Sequence, residues 1–150
     1  MTFSQAFHVC FLKKYCDFKG RASRSEFWWF SMSVVGISTI SNLIFQYILS
    51  PQIMVWASLT VSLIFMLPNL AVTVRRLHDR NLRGWWLLAP IAASLMGQPQ
   101  QTSTTALITG MLMLSMCLCF LVILALPGST GDNRFGPDPL GQTPSAEDQD

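Results

Sequence analysis

The stretch Arg75-Arg76-Leu77-His78-Asp79-Arg80-Asn81-Leu82-Arg83 packs four guanidinium groups, an imidazole and a carboxylate into nine residues. Arginines hold carboxylates and phosphates through paired N–H donors. A histidine next to an aspartate suggests general acid–base work. Two smaller sets carry the same residue types: Arg21, Arg24 and Glu26 near the N-terminus, and Asp132, Asn133, Arg134 and Asp138 near the C-terminus. Adjacent residues on a helix project about 100° apart, so His78 and Asp79 do not form a dyad by themselves. No nucleophile elbow, glycine-rich phosphate loop or His-Glu-x-x-His is present. Glu26, Asp79, Asp132 and Asp138 are scattered and outnumbered by arginines, which is a poor set for a hard cation. The expectation is therefore no catalytic residues, no metal and no cofactor.

The elements that position these groups follow from the placement of charge. The chain has 150 residues, of which 51% are hydrophobic and 12% charged, about half the charged fraction of a soluble domain. Phe27 to Val74 holds no Asp, Glu, Lys or Arg, and neither does Gly84 to Gly131. A membrane-spanning helix needs about 20 apolar residues, so each arm has room for two. All ten Lys and Arg fall between Lys13 and Arg24, between Arg75 and Arg83, and at Arg134. Basic residues near span ends favour the cytoplasmic side. The expected fold is all-α: an integral membrane protein with four transmembrane helices as two helical hairpins and both termini cytoplasmic.

The predicted organisation has three parts. Residues 1–20 form an interfacial amphipathic helix, 21–139 a four-span membrane domain, and 140–150 a disordered acidic tail. The spans run over about 27–49, 53–74, 85–103 and 106–126. Phe3, Phe7, Phe11, Tyr15 and Phe18 recur at helical spacing, with a Thr2-x-x-Gln5 capping box at the start and Gly20 at the end. Such a helix lies in the membrane interface or packs on the protein's own inner face. Ser23-x-x-Glu26 is a second capping box, opening the first span, with Trp28 and Trp29 at headgroup level. Ser38, Asn42 and Gln46 make a polar seam on that span, for helix-to-helix bonding or for lining a path. Pro68 interrupts the second span and frees the carbonyl of Ile64. The third span is the weakest, with only Trp85 to Met96 strongly apolar. Cys10 and Cys16 fall on the reducing side, and Cys117 and Cys119 fall inside a span, so no disulfide framework is expected. Arg21-x-x-Arg24 before Trp28-Trp29 and Arg80-x-x-Arg83 before Trp85-Trp86 hint at two related hairpins.

Three blocks stand out together: FKGRASRSEFWWF at 18–30, PNLAVTVRRLHDRNLRGWWLL at 68–88 and LPGSTGDNRFGPDP at 126–139. In these the chain resembles the small bacterial inner-membrane proteins grouped as domain of unknown function 805, from about Phe18 to Pro139. That family usually has a small residue such as Ser before Gly-Trp-Trp, where this chain has Arg83. The resemblance implies a four-span inner-membrane protein and brings no established activity, substrate or cofactor.

The charged groups then admit three roles. They fix topology, because an arginine at mid-membrane costs about 3 kcal/mol on insertion scales. They latch segments, through Arg75 or Arg76 with Glu26 and Arg134 with Asp79. Or they form a platform for anionic lipid headgroups or another anionic ligand. The platform comprises Arg21, Arg24, Glu26, Arg75, Arg76, His78, Asp79, Asp132, Asn133, Arg134 and Asp138. The functional expectation is a non-enzymatic interaction or lipid-associated module, with a small-molecule transporter formed by oligomerisation as the alternative. The expected partners are the bilayer, a second copy or another membrane protein, and no nucleic acid.

Overall fold

The computed structural model describes residues 2–96 and 103–141, with side chains except at 93–106. Every regular element among them is helical: α1 (Phe3–His8) with a π turn (Val9–Lys13), α2 (Arg24–Ile48), α3 (Pro51–Asp79), a 3-10 turn (Gly84–Leu87), α4 (Leu88–Met96) and α5 (Ser103–Ala125). One isolated bridge pairs Asn133 with Gly136. Among the described residues, three helices are long and apolar enough to cross a membrane: Arg24–Ile48, Pro51–Asp79 and Leu107–Ala125. At about 1.5 Å per residue, α2 and α3 both exceed the roughly 30 Å hydrocarbon core. Their outward faces are apolar, as Tyr47, Trp56 and Met111 illustrate. Water does not tolerate such an exterior over so large an area.

The α2–α3 pair is the frame. Ser23 caps α2, its hydroxyl accepting from the Glu26 amide at 3.2 Å. The Glu26 carboxylate does not return to Ser23 as a capping box requires. It turns inward to Arg75 and Cys10. Ser50 precedes α3, with Pro51 in its first turn, where a missing N–H costs nothing. In the polar seam, Asn42 donates to the Ser38 carbonyl and accepts from the Ser58 hydroxyl at 2.7 Å, linking α2 to α3. The helix-to-helix reading of the seam thus holds at Asn42.

Helix α3 runs unbroken through Pro68 and continues through Arg75 to Asp79. The second span was expected to end at residue 74. The helix goes on because its next charges are satisfied by neighbouring segments rather than by water. The Ile64 carbonyl orphaned by Pro68 accepts the Tyr15 hydroxyl at 2.5 Å. The helix expected to reach Gly20 stops at Lys13, and Lys14 leaves helical geometry. Thr2 and Gln5 do form the capping box. Ala6 and Cys10 are fully buried, Phe7 stands 5.9 Å from Phe30, and Phe3 meets Trp29 edge-on. The stripe therefore packs on the protein itself.

The third apolar segment opens as a 3-10 turn, and its described helix, α4, covers nine residues, about 14 Å. The rest of the expected span, 97–102, lies outside the described residues, as does the tail from 142 onward.

Candidate functional site

The charged end of the α2–α3 pair gathers three distant pieces of chain: the loop and first turn at 20–26, the last two turns of α3, and the segment after α5. Asp79 is the hub. Its Oδ1 accepts from Arg21 Nε at 2.9 Å, and its Oδ2 accepts from Arg76 Nη1. Arg21 and Asp79 side chains are 1% and 4% exposed. Removing such charges from water is costly unless every polar atom finds a partner. Arg21 also donates to the carbonyls of Ser129 and Gly131. Arg76 donates to the carbonyls of Leu124 and Leu126, and more weakly to that of Ala22. Arg76 thus binds the carbonyl end of α5, where intrahelical donors run out, and Arg21 binds the segment that follows it.

A second pair lies beside the first. Arg75, fully buried, donates from Nη1 to Glu26 Oε1 at 2.5 Å and from Nη2 to the Cys10 sulfur at 3.7 Å. The Cys10 thiol in turn donates to the same carboxylate oxygen. Burial pushes this thiol up to about 12; the Glu26 charge acts in the same direction and Arg75 against it. Arg75 Nε has no partner among the described residues. Such an orphan costs about 1–3 kcal/mol. Helix α1 is thereby tied to the same cluster.

Residues 127–138 fold over the end of α3. The Asp79 carbonyl accepts from the amide and hydroxyl of Ser129, and the His78 carbonyl accepts from Asn133. Asn133 also accepts from the Phe135 amide through its side-chain oxygen. His78 stacks flat on Phe135 with ring centroids 4.0 Å apart, and its Nδ1 meets the Gly20 carbonyl. Asp138 accepts from the Gly131 amide, and Asp132 from the Asp138 amide. These two carboxylates order the tail itself and do not reach the Asp79 hub. Gly128 passes so close to Asp79 that a Cβ there would overlap its carboxylate.

Of the pairs expected from sequence, Arg75–Glu26 is present and Arg134–Asp79 is not. Arg134 instead donates to the Asn81 carbonyl at 2.7 Å and lies 4.7 Å over Phe135. Asp79 faces inward at the last turn of α3, whereas Arg134 stands on the outer side of the tail. Arg24 is exposed and makes no hydrogen bond or ion pair to a described residue. Cys10, Ser129 and Gly128 belong to the cluster, and sequence reasoning missed them as parts of it. Among the described residues, no three His, Cys, Asp or Glu side chains come together as metal ligands.

The fold and this site define an all-helical membrane protein closed at one end by buried arginine–carboxylate pairs. Residues 15–137 match the model of the family described as protein of unknown function DUF805, and the chain belongs to that family. It is 33% identical over 132 residues to inner membrane protein YhaI of Escherichia coli strain K12, covering 88% of this chain and 93% of that protein. It is 29% identical over 141 residues to inner membrane protein YhaH of the same strain, covering 85% and 91%. A third relative there, the uncharacterized protein YiiR, is 29% identical over 132 residues, covering 81% and 85%. No solved structure matches the chain.

Proposed function

We propose that this chain is a non-enzymatic, multi-pass inner-membrane module whose arginine cluster is a latch on the cytoplasmic face. In this reading the chain crosses four times as two hairpins, both termini are cytoplasmic, and the remaining cations form a rim toward anionic lipid headgroups. The observation that carries the latch is the way the buried arginines are used. Arg21 and Arg76 direct their donors to Asp79 and to the chain's own carbonyls. A receptor for an outside anion keeps its guanidinium edges open, whereas every guanidinium nitrogen of these two already has a partner within the chain. The same pairing occupies both oxygens of the Asp79 carboxylate, which leaves it no free edge for general base work. The Asn42–Ser58 bond favours packing of the seam over pore lining, so transport ranks second. The inward charge bias and the names of the relatives support the membrane placement.

The test is native mass spectrometry of the full chain from lipid nanodiscs, comparing wild type with Arg75→Ala/Arg76→Ala. The latch predicts a lower unfolding midpoint in the variant, with the same bound species in both spectra. An anionic species that disappears with these two arginines would replace the latch with a ligand site. Labelling of single cysteines introduced at residues 50 and 134, from either side of the membrane, tests the orientation. Only residue 50 should be reached from outside.

A further inference from the structure

Outside the latch, the molecule carries one cleft with the opposite electrostatic character. It opens between the turn after α3 and the C-terminal segment, with a volume of about 500 Å³. Arg83 and Arg134 stand on its walls, and Trp85, Trp86 and Leu82 form its apolar surface. Among the described residues, no carboxylate lines it. The Arg83 side chain is exposed and makes no hydrogen bond or ion pair to a described residue. Arg134 is held in place from one side, by the Asn81 carbonyl at 2.7 Å and the ring of Phe135. Its bond to the Asn81 carbonyl takes one Nη2 donor and leaves the Nη1 edge free. Asn81 adopts a left-handed backbone, with φ at 58°, which reverses the chain directly after α3. The 3-10 turn that follows leaves both indoles open, Trp85 at 74% and Trp86 at 56% exposure.

We propose that this cleft binds one anionic phospholipid, its phosphate between Arg83 and Arg134 and its glycerol and upper acyl carbons on Trp85 and Trp86. The charge complementarity is one-sided: two guanidiniums whose fork matches a phosphate, and no acidic group among the described lining residues. Tryptophans at the edge of an apolar run sit at headgroup depth, so the same cleft faces phosphate above and acyl chain below. A second hollow of about 320 Å³ beside Gly84, Trp85 and Leu88 continues along the start of α4. It gives an acyl chain a path away from the phosphate. The inference deepens the proposed lipid association and needs the membrane placement, but it is independent of the latch.

The experiment reconstitutes the full chain in nanodiscs of equal parts phosphatidylglycerol and phosphatidylethanolamine. Lipids retained per chain are then counted by native mass spectrometry. Wild type should keep one phosphatidylglycerol in preference to phosphatidylethanolamine. Arg83→Gln and Arg134→Gln should each weaken that retention about fivefold, the effect of one basic residue at a membrane surface. Lys13→Gln, an exposed cation elsewhere, should leave it unchanged. Equal retention of the two lipids, an equal loss in Lys13→Gln, or no loss in either arginine variant would overturn the proposal. Glycerophosphate without acyl chains binding as well as the lipid would also overturn it. The unfolding midpoint of Arg83→Gln should match wild type, which separates this outcome from a failed latch.

Discussion

Arg21 and Arg76 on one side of the α3 terminus, and Arg83 and Arg134 on the other, are the same residue type in opposite circumstances. The first two are buried and spend their donors on Asp79 and on the carbonyls after α5. The second two are exposed, with one holding a single backbone carbonyl and the other nothing. Only a few residues of chain separate Arg76 from Arg83. The difference lies in what α2 and the tail bring against each one. A buried guanidinium is structural when carboxylate and carbonyl partners arrive from the same chain, and an open one is available to a ligand.

The sharpest way to break this contrast is Asp79→Asn. It leaves Arg21 and Arg76 buried without their counter-charge, and loss of one partner of a buried pair costs about 3–5 kcal/mol. Thermal unfolding in detergent should show a large drop, or the protein should fail to accumulate. Gly128→Ala comes next. Its methyl group would push against the Asp79 carboxylate, and overpacking of this kind costs about 1–3 kcal/mol. Denaturation of the purified chain measures it, with Gly36→Ala, which meets open space, as the control.

The smallest effect on stability belongs to the open side. Arg83→Ala should change the unfolding free energy by less than about 0.5 kcal/mol, as surface substitutions do. A larger loss would mean that Arg83 has an internal role. The two sides also differ in thiol reactivity. Cys16 is exposed and should react with maleimide at pH 7, whereas Cys10 should stay unmodified. Because burial raises the Cys10 pKa from 9.0 to about 12, its contribution to stability is intact below pH 9. It is lost as the pH rises from 9 toward 12. Alkylation of Cys10 at pH 7, at the rate of Cys16, would mean the cluster opens readily.

Much of the architecture was legible before any coordinates. The charge-free arms placed α2, α3 and α5, and Ser23 marked the start of α2. Pro68 announced an orphan carbonyl at Ile64, and the structure supplies Tyr15 as its partner. The Arg75–Glu26 pair was also readable, because the two residues stand at the same depth on consecutive helices. The partner of Asp79 was not. Several arginines lie near it in the sequence or at the same membrane depth, and choosing among them requires knowing which faces inward. The 3-10 geometry of Gly84 and the two tryptophans before α4 was not readable. The segment's uncharged composition reads the same for a helix and for a tighter turn.

The sequence alone determined which segments avoid water and at which end the charges collect. Both follow from the solvation of each segment by itself, a local property written in consecutive residues. Only the tertiary structure decided that Arg21, 58 positions from Asp79, joins Arg76 on one carboxylate, and that residues 127–138 close over α3. It also left the Arg83 side chain without a partner among the described residues. These outcomes depend on which faces meet when α1, α2 and the tail pack against the end of α3. The charges of one short island therefore divide, with Arg75, Arg76 and Asp79 closed in and Arg83 left open.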